Sequence, residues 1–210
     1  MEPLDSAEAR VLGCLIEKEA TTPEYYPLSL NALVNACNQK SNRDPVVSYE
    51  DSTVEDAIER LRAKQLAFIV TGSGRVTKYS QRISETFNLG RRELAVLGVL
   101  LLRGPQTLGE IKDRSERMHA FADLSETERV LEKLAEWPTG PLAIKLPRQP
   151  GQKEARYAHL LSGEPAIEAA EASPPSPPTK IAQIEEELQQ LRSDFEELKR
   201  RFESLENQLR

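Results

Sequence analysis

The side chains best suited to chemistry in this 210-residue chain lie in one polar run, Asn38, Gln39, Lys40, Asn42 and Arg43. Amides and cations crowded into so short a stretch supply donors for phosphate oxygens and base edges, the chemistry of nucleic-acid contact. The same residue types also satisfy their own backbone in solvated loops, so the run has a second, purely local explanation. Further phosphate candidates are Arg75 and Lys78 in one expected hairpin, and Arg148, Lys153 and Arg156 in another. Arg114 and Arg117 lie near the end of an expected helix, where positive charge complements the helix dipole.

Other chemistry is thinly represented. There are two histidines, His119 and His159, and neither stands at metal-ligand spacing from another ligand. No phosphate-binding loop, dinucleotide fingerprint or nucleophile-elbow serine occurs. Gly72-Ser73-Gly74 suits a hairpin turn better than a phosphate cradle, because no helix follows it. Cys14 and Cys37 sit in helical apolar patterns without CxxC spacing and read as small, reduced core residues. The chain therefore reads as non-enzymatic, with no cofactor and no metal.

The elements that must position these residues are stated twice. Glu8, Val11, Leu12, Gly13 and Leu15 reappear 85 residues later as Glu93, Val96, Leu97, Gly98 and Leu100. The segment Val54–Leu61 is likewise answered by Thr127–Leu134. Self-similarity at this period indicates duplicated modules. In the first module Asp5 with Glu8 opens a helix to about Glu19, a second helix follows Ser29, and Ser52 with Glu55 opens a third through Lys64. Strands are expected at 67–71 and 75–79. In the second module a helix over 91–102 stops at Gly104-Pro105, Thr107 with Glu110 and Ser125 with Glu128 open two more, and strands follow at 143–146 and 155–159. Helix–helix–helix–hairpin is the order of a winged helix. The predicted fold is mainly α with small β-hairpins: winged-helix domains over 1–85 and 86–162, a proline-rich linker over 163–179 and a coiled-coil helix over 180–210.

Charge is distributed unevenly among these parts. Residues 1–85 carry 10 Lys/Arg and 13 Asp/Glu, residues 86–163 carry 12 and 10, and residues 164–210 carry 6 and 11. Most of the net charge of −6 thus lies in the tail, and neither module has the strongly basic balance of a tight phosphate binder. The third helix of the first module opens with acidic Glu50, Asp51, Glu55 and Asp56, a poor approach to phosphate but good chemistry for a helix N-terminus. No apolar run reaches the roughly 20 residues needed to span a bilayer, and the acidic start lacks an export pattern, so a cytoplasmic location is expected.

In the tail, Ile181, Ile184, Leu188, Leu191, Phe195, Leu198, Phe202, Leu205 and Leu209 alternate at spacings of three and four, an unbroken heptad seam. In a parallel pair the flanking contacts would be Lys180–Glu185, Glu187–Arg192, Asp194–Lys199 and Arg201–Glu206, all of opposite sign. A parallel homodimer is the expectation. The bulky Phe195 and Phe202 leave a trimer open.

Residues Thr21–Ser29, Asn35–Pro45 and Gly74–Tyr79, with Leu101–Glu110 and Gly151–Tyr157, resemble the YceH-like family of bacterial proteins over about residues 5–162. That resemblance implies two tandem winged-helix domains and brings no assigned activity. The functional expectation is a DNA-binding or transcription-regulatory dimer without membrane attachment. The alternative is an adaptor whose winged helices dock on partner proteins.

Overall fold

The computed structural model describes residues 2–70, 76–148, 152 and 154–165. The expected coiled coil, and the linker from residue 166 onward, lie outside them. Among the described residues are seven helices and two three-stranded antiparallel sheets. The first half runs α1 (Ser6–Thr21), β1 (Leu28–Ser29), α2 (Leu30–Cys37), α3 (Asp51–Ala63), β2 (Ala67–Val70) and β3 (Lys78–Gln81). A short α4 (Ile83–Thr86) leads to the second: α5 (Arg91–Arg103), β4 (Gln106–Thr107), α6 (Leu108–Ser115), α7 (Leu124–Ala135), β5 (Ala143–Lys145) and β6 (Arg156–His159). The sheet orders are β1-β3-β2 and β4-β6-β5, so the two halves share one topology.

Local chemistry explains the helix starts. Asp5 accepts from the Glu8 amide and Glu8 accepts from the Asp5 amide, both at 2.8 Å, which satisfies two otherwise unpaired donors of α1. Thr107 and Glu110 close the same box on α6, at 2.9 and 3.3 Å. The boxes expected at Ser52 and Ser125 do not form. Helix α3 already begins after Glu50, placing Ser52 in its first turn. Helix α7 is capped by Asp123, which accepts from the Glu126 amide at 2.7 Å. Asp caps as well as Ser, and the earlier start adds helical residues. The third strand of the first half is Lys78–Gln81 rather than 75–79, because Tyr79 pairs with Ile69 and Gln81 with Ala67. The two-residue strands β1 and β4 were not expected.

Helix α1 was predicted to bury one stripe, yet every residue from Glu8 to Glu17 is buried. The reason is α5, which packs along α1 and covers its second side. Two glycines make that approach close. A Cβ on Gly13 would lie 2.9 Å from Leu102 side-chain atoms of α5, and one on Gly98 would lie 3.2 Å from Ile16 of α1. Helix surfaces lacking Cβ atoms at the crossing let the axes come together. The buried apolar residues of both halves consequently form one continuous cluster, and Met1–Ala166 is one compact unit. Cys14 and Cys37 lie in this core as free, buried thiols. Trp137 Nε1 donates to the Phe87 carbonyl at 2.9 Å, tying the second half to the segment after α4.

Candidate nucleic-acid interface

The polar run 38–43 begins at the end of α2, and Asn38, Gln39 and Arg43 turn inward while Lys40 and Asn42 are exposed. Asn38 grips the far end of the connection: its Nδ2 donates to the Tyr49 carbonyl at 2.8 Å, and its Oδ1 accepts from the Tyr49 amide at 2.7 Å. Gln39 Oε1 accepts from Arg43 at 3.0 Å and from Lys18 at 3.4 Å. Asn42 adopts a positive φ of 59° and accepts from Arg103 of α5. The local explanation of this run therefore accounts for Asn38, Gln39 and Asn42.

Arg43 goes furthest from the expectation. Its side chain is fully buried and forms a two-pronged pair with Glu17 of α1, at 3.0 and 2.6 Å. It also donates to the carbonyls of Ala36 and Asn42. Burial opposes ionisation of Glu17, but the hydrogen bonds and charge of Arg43 override it and hold the carboxyl below its usual range. Arg43 has no donor left to offer a phosphate. The adjacent Asp44 amide donates to the Leu102 carbonyl at 2.9 Å, so this connection clasps α1 and α5 together. Lys40 is exposed and is the cation of the run without an ion pair among the described residues.

The hairpin candidates fare differently. Arg75 and Lys153 lie outside the described residues. Lys78 is exposed at the first position of β3. Arg156 is half-buried at the first position of β6, with Nη1 donating to the Pro105 carbonyl at 2.9 Å. The register makes these two equivalent: Lys78 faces Ser29, and Arg156 faces Thr107. Ser29 and Thr107 are in turn the N-caps of α2 and α6. Each half therefore sets a cation beside the amino end of its second helix, which carries partial positive charge. Arg148 follows β5 and, among the described residues, makes one long contact, 3.4 Å, to the Gln152 carbonyl.

Two cations, Arg103 and Lys145, escaped the sequence reading. Arg103 at the end of α5 and Arg117 after α6 line one small cavity with Arg114. Burial, then the charges of Arg114 and Arg43, push Arg103 below its ordinary value, the mark of crowded positive charge. Arg114 is partly neutralised by Glu110 at 3.1 Å. Lys145 on β5 lies over the Tyr157 ring at 5.4 Å. No periodicity signals these groups, because they converge from separate elements. Against them stand the exposed carboxylates Asp51, Glu55, Asp56 and Glu59 along the outer face of α3. No helix among the described residues is long and apolar enough to cross a membrane.

Relatives extend the comparison. A family model described as "Protein of unknown function, DUF480" matches residues 4–152. A UPF0502 protein of Solibacter usitatus is 55% identical over 207 residues, covering 95% of this chain and 98% of that protein. One from Geobacter sulfurreducens is 58% identical over 172 residues, covering 82% and 78% respectively. One from Geotalea uraniireducens is 52% identical over 215 residues, covering 98% and 97%. With a family model spanning most of the chain and relatives matched over most of their length, the chain belongs to the DUF480/UPF0502 family of uncharacterised bacterial proteins.

Proposed function

We propose that the protein is a non-enzymatic, DNA-binding regulatory protein of two tandem winged-helix units, dimerised by a parallel coiled coil at 180–210. The order helix, short strand, helix, helix, hairpin, found in both halves, supports the winged-helix assignment. The observation that carries DNA contact is the duplicated pairing of Lys78 and Arg156 with the capped ends of α2 and α6. A cation beside the partial positive charge of a helix N-terminus suits a phosphate. Lys40 and Arg148 add positive charge. Because the outer face of α3 is acidic, backbone contact outweighs base readout, and binding is salt-sensitive and weakly sequence-selective. Two copies would present four such units and raise weak contacts through effective concentration.

The test is mobility shift with mixed genomic fragments at low and moderate salt. Retardation at low salt is expected, and replacing both Lys78 and Arg156 by Ala should lower the log-affinity versus log-salt slope by about 2 per protomer in contact with DNA. No retardation at low salt sinks the DNA reading. Lys40→Ala is a clean companion, whereas Arg43→Ala is not, since it removes a buried partner. Dimerisation is checked by sedimentation of the full chain against a chain ending at Ser162; a monomeric full chain at tens of micromolar defeats it.

A second reading is favoured by the exposed carboxylates of α3: an adaptor that docks a basic partner protein there. Affinity capture after nuclease treatment, returning one stoichiometric protein lost on Glu55→Lys/Glu59→Lys, selects it over DNA.

A further inference from the structure

Two cavities flank the packing of α1 on α5, and the repeat relates them to each other. The first has a volume of about 470 Å³ and lies against the ends of α1 and β3. There the protein supplies its own carboxylate: Gln81 Nε2 donates to Glu19 at 2.8 Å and to Ser84 Oγ at 2.9 Å, while Gln81 Oε1 accepts from the Ser84 amide at 3.0 Å. The second, of about 270 Å³, lies against the ends of α5 and β6.

Equivalent positions in the second cavity carry different chemistry. His159 ends β6 opposite Ala143 as Gln81 ends β3 opposite Ala67. Glu19, 85 residues earlier, corresponds to Gly104, so the carboxylate is missing. At the facing helix Ala95 lines the first cavity, and its counterpart in the second is Arg10. Arg91, exposed at the first cavity, is answered by Ser6, so the exchange removes the anion and replaces an exposed cation by a buried one.

That cation is incompletely satisfied. Arg10 is 4% exposed; Nη2 donates to the Pro45 carbonyl at 2.6 Å, and Nη1 is buried with no hydrogen-bond partner. Among the described residues no carboxylate lies within ion-pair distance of it, although Asp44 lines the same cavity. His159 Nδ1 is likewise buried and unpartnered. Burial pushes the His159 ring down to about 4, so it is neutral near pH 7 and can donate from Nδ1 in one tautomer. Unpaired buried donors of this kind are costly unless something accepts from them. Val47, Leu100, Leu101 and Ala158 give the wall an apolar stretch, with Ser6, Tyr49 and Ser162 also lining the cavity.

The geometry points to a ligand site in which a small organic acid with an apolar body sets its carboxylate on Arg10 Nη1 and His159 Nδ1, in the position that Glu19 fills in the other repeat. The site is independent of the hairpin cations and of whether they bind DNA.

The test is calorimetric titration of the full chain with benzoate, hexanoate and their uncharged amides, with inorganic phosphate as a further arm. At least one carboxylate should bind saturably and at least about tenfold more tightly than its amide, as a charge-assisted hydrogen bond requires. Arg10→Gln should erase that preference. Ser6→Trp, at an exposed position on the cavity mouth, should block the carboxylate while leaving the fold intact. Equal binding of acid and amide, binding unchanged in Ser6→Trp, preference for phosphate, or no saturable binding by either acid would each overturn the assignment. Should Arg10→Gln fail to fold, the acid-to-amide ratio and the Ser6→Trp result decide it.

Discussion

In the first repeat a buried Glu8 in the opening turn of α1 takes Lys64 at the end of α3, at 2.8 Å; in the second, Glu93 of α5 takes Lys133 of α7, at 2.7 Å. The pairs match in length but not in register, since Lys133 answers Arg60 by the 73-residue offset of the third helices, and Lys64 is 10% exposed and Lys133 60%. The connections between second and third helices diverge further. In the first repeat it carries the inward-facing Asn38 and Arg43 and reaches across to α5. In the second, only a short segment separates Ser115 from Leu124, and it carries no such clasp among the described residues. One inherited plan thus has a half whose connecting loop is committed to holding the molecule together and a half whose loop is not. A donor-rich stretch of sequence tells how many hydrogen bonds are available, and only the fold tells to whom.

That contrast can be broken most forcefully at Arg43. Arg43→Ala strands a buried Glu17 and should cost about 3–5 kcal/mol in chemical denaturation, whereas Arg114→Ala in the other repeat, removing a partly exposed pair, should cost less than about 1 kcal/mol. Equal losses would show that the clasp is not special. Next is acid sensitivity. The folded-state value of His159 lies below its unfolded one, so the unfolded chain takes up the proton first and stability falls as pH drops from about 6.5 towards 4. This amounts to about 3 kcal/mol for a 2.5-unit difference. His159→Gln, importing the residue the first repeat has at this place, should flatten that limb of the stability–pH curve; an unchanged limb would assign it to other groups. Glu17, held below its usual range, keeps its contribution above about pH 4.3 and loses it only at lower pH, so the two limbs separate.

The lysine pairs give a smaller contrast. Lys64→Ala should cost about 2–3 kcal/mol and Lys133→Ala about 1 or less, because an uncompensated buried charge is worse than a lost exposed one. Thermal midpoints of the two variants would reverse if exposure did not set the value. The finest comparison is between the glycines. Alanine improves helix propensity by about 1 kcal/mol at either site. At Gly13 the new methyl meets Leu102 at 2.9 Å and should give a net loss of about 1–2 kcal/mol, while at Gly98 the 3.2 Å contact should leave stability nearly unchanged.

Much of the framework was legible because it rests on local signals. The Asp5–Glu8 and Thr107–Glu110 boxes, the Gly13/Gly98 repeat and the hairpin order could be read from spacing alone. The two-residue strands β1 and β4 are too short to leave a period, and at Ser52 and Ser125 the helices start two residues earlier, after Glu50 and Asp123. The polar residues were harder. Arg43 lies 26 residues from Glu17, and nothing in its own neighbourhood announces a buried partner. Arg10 was invisible for a related reason: α1 was read as having a free face, so a cation upon it called for no explanation. The signal lay in α5, where Ala95–Leu102 is apolar on all sides and requires burial all round.

The close meeting of α1 and α5 at Gly13 and Gly98 has a bearing on how the molecule can be divided. A break in the chain near Asn88 would leave each half with a long greasy helix and a notch shaped for the other. Neither piece should fold quietly alone, yet mixed together they should rejoin, making this duplicated protein a natural candidate for reconstitution from fragments.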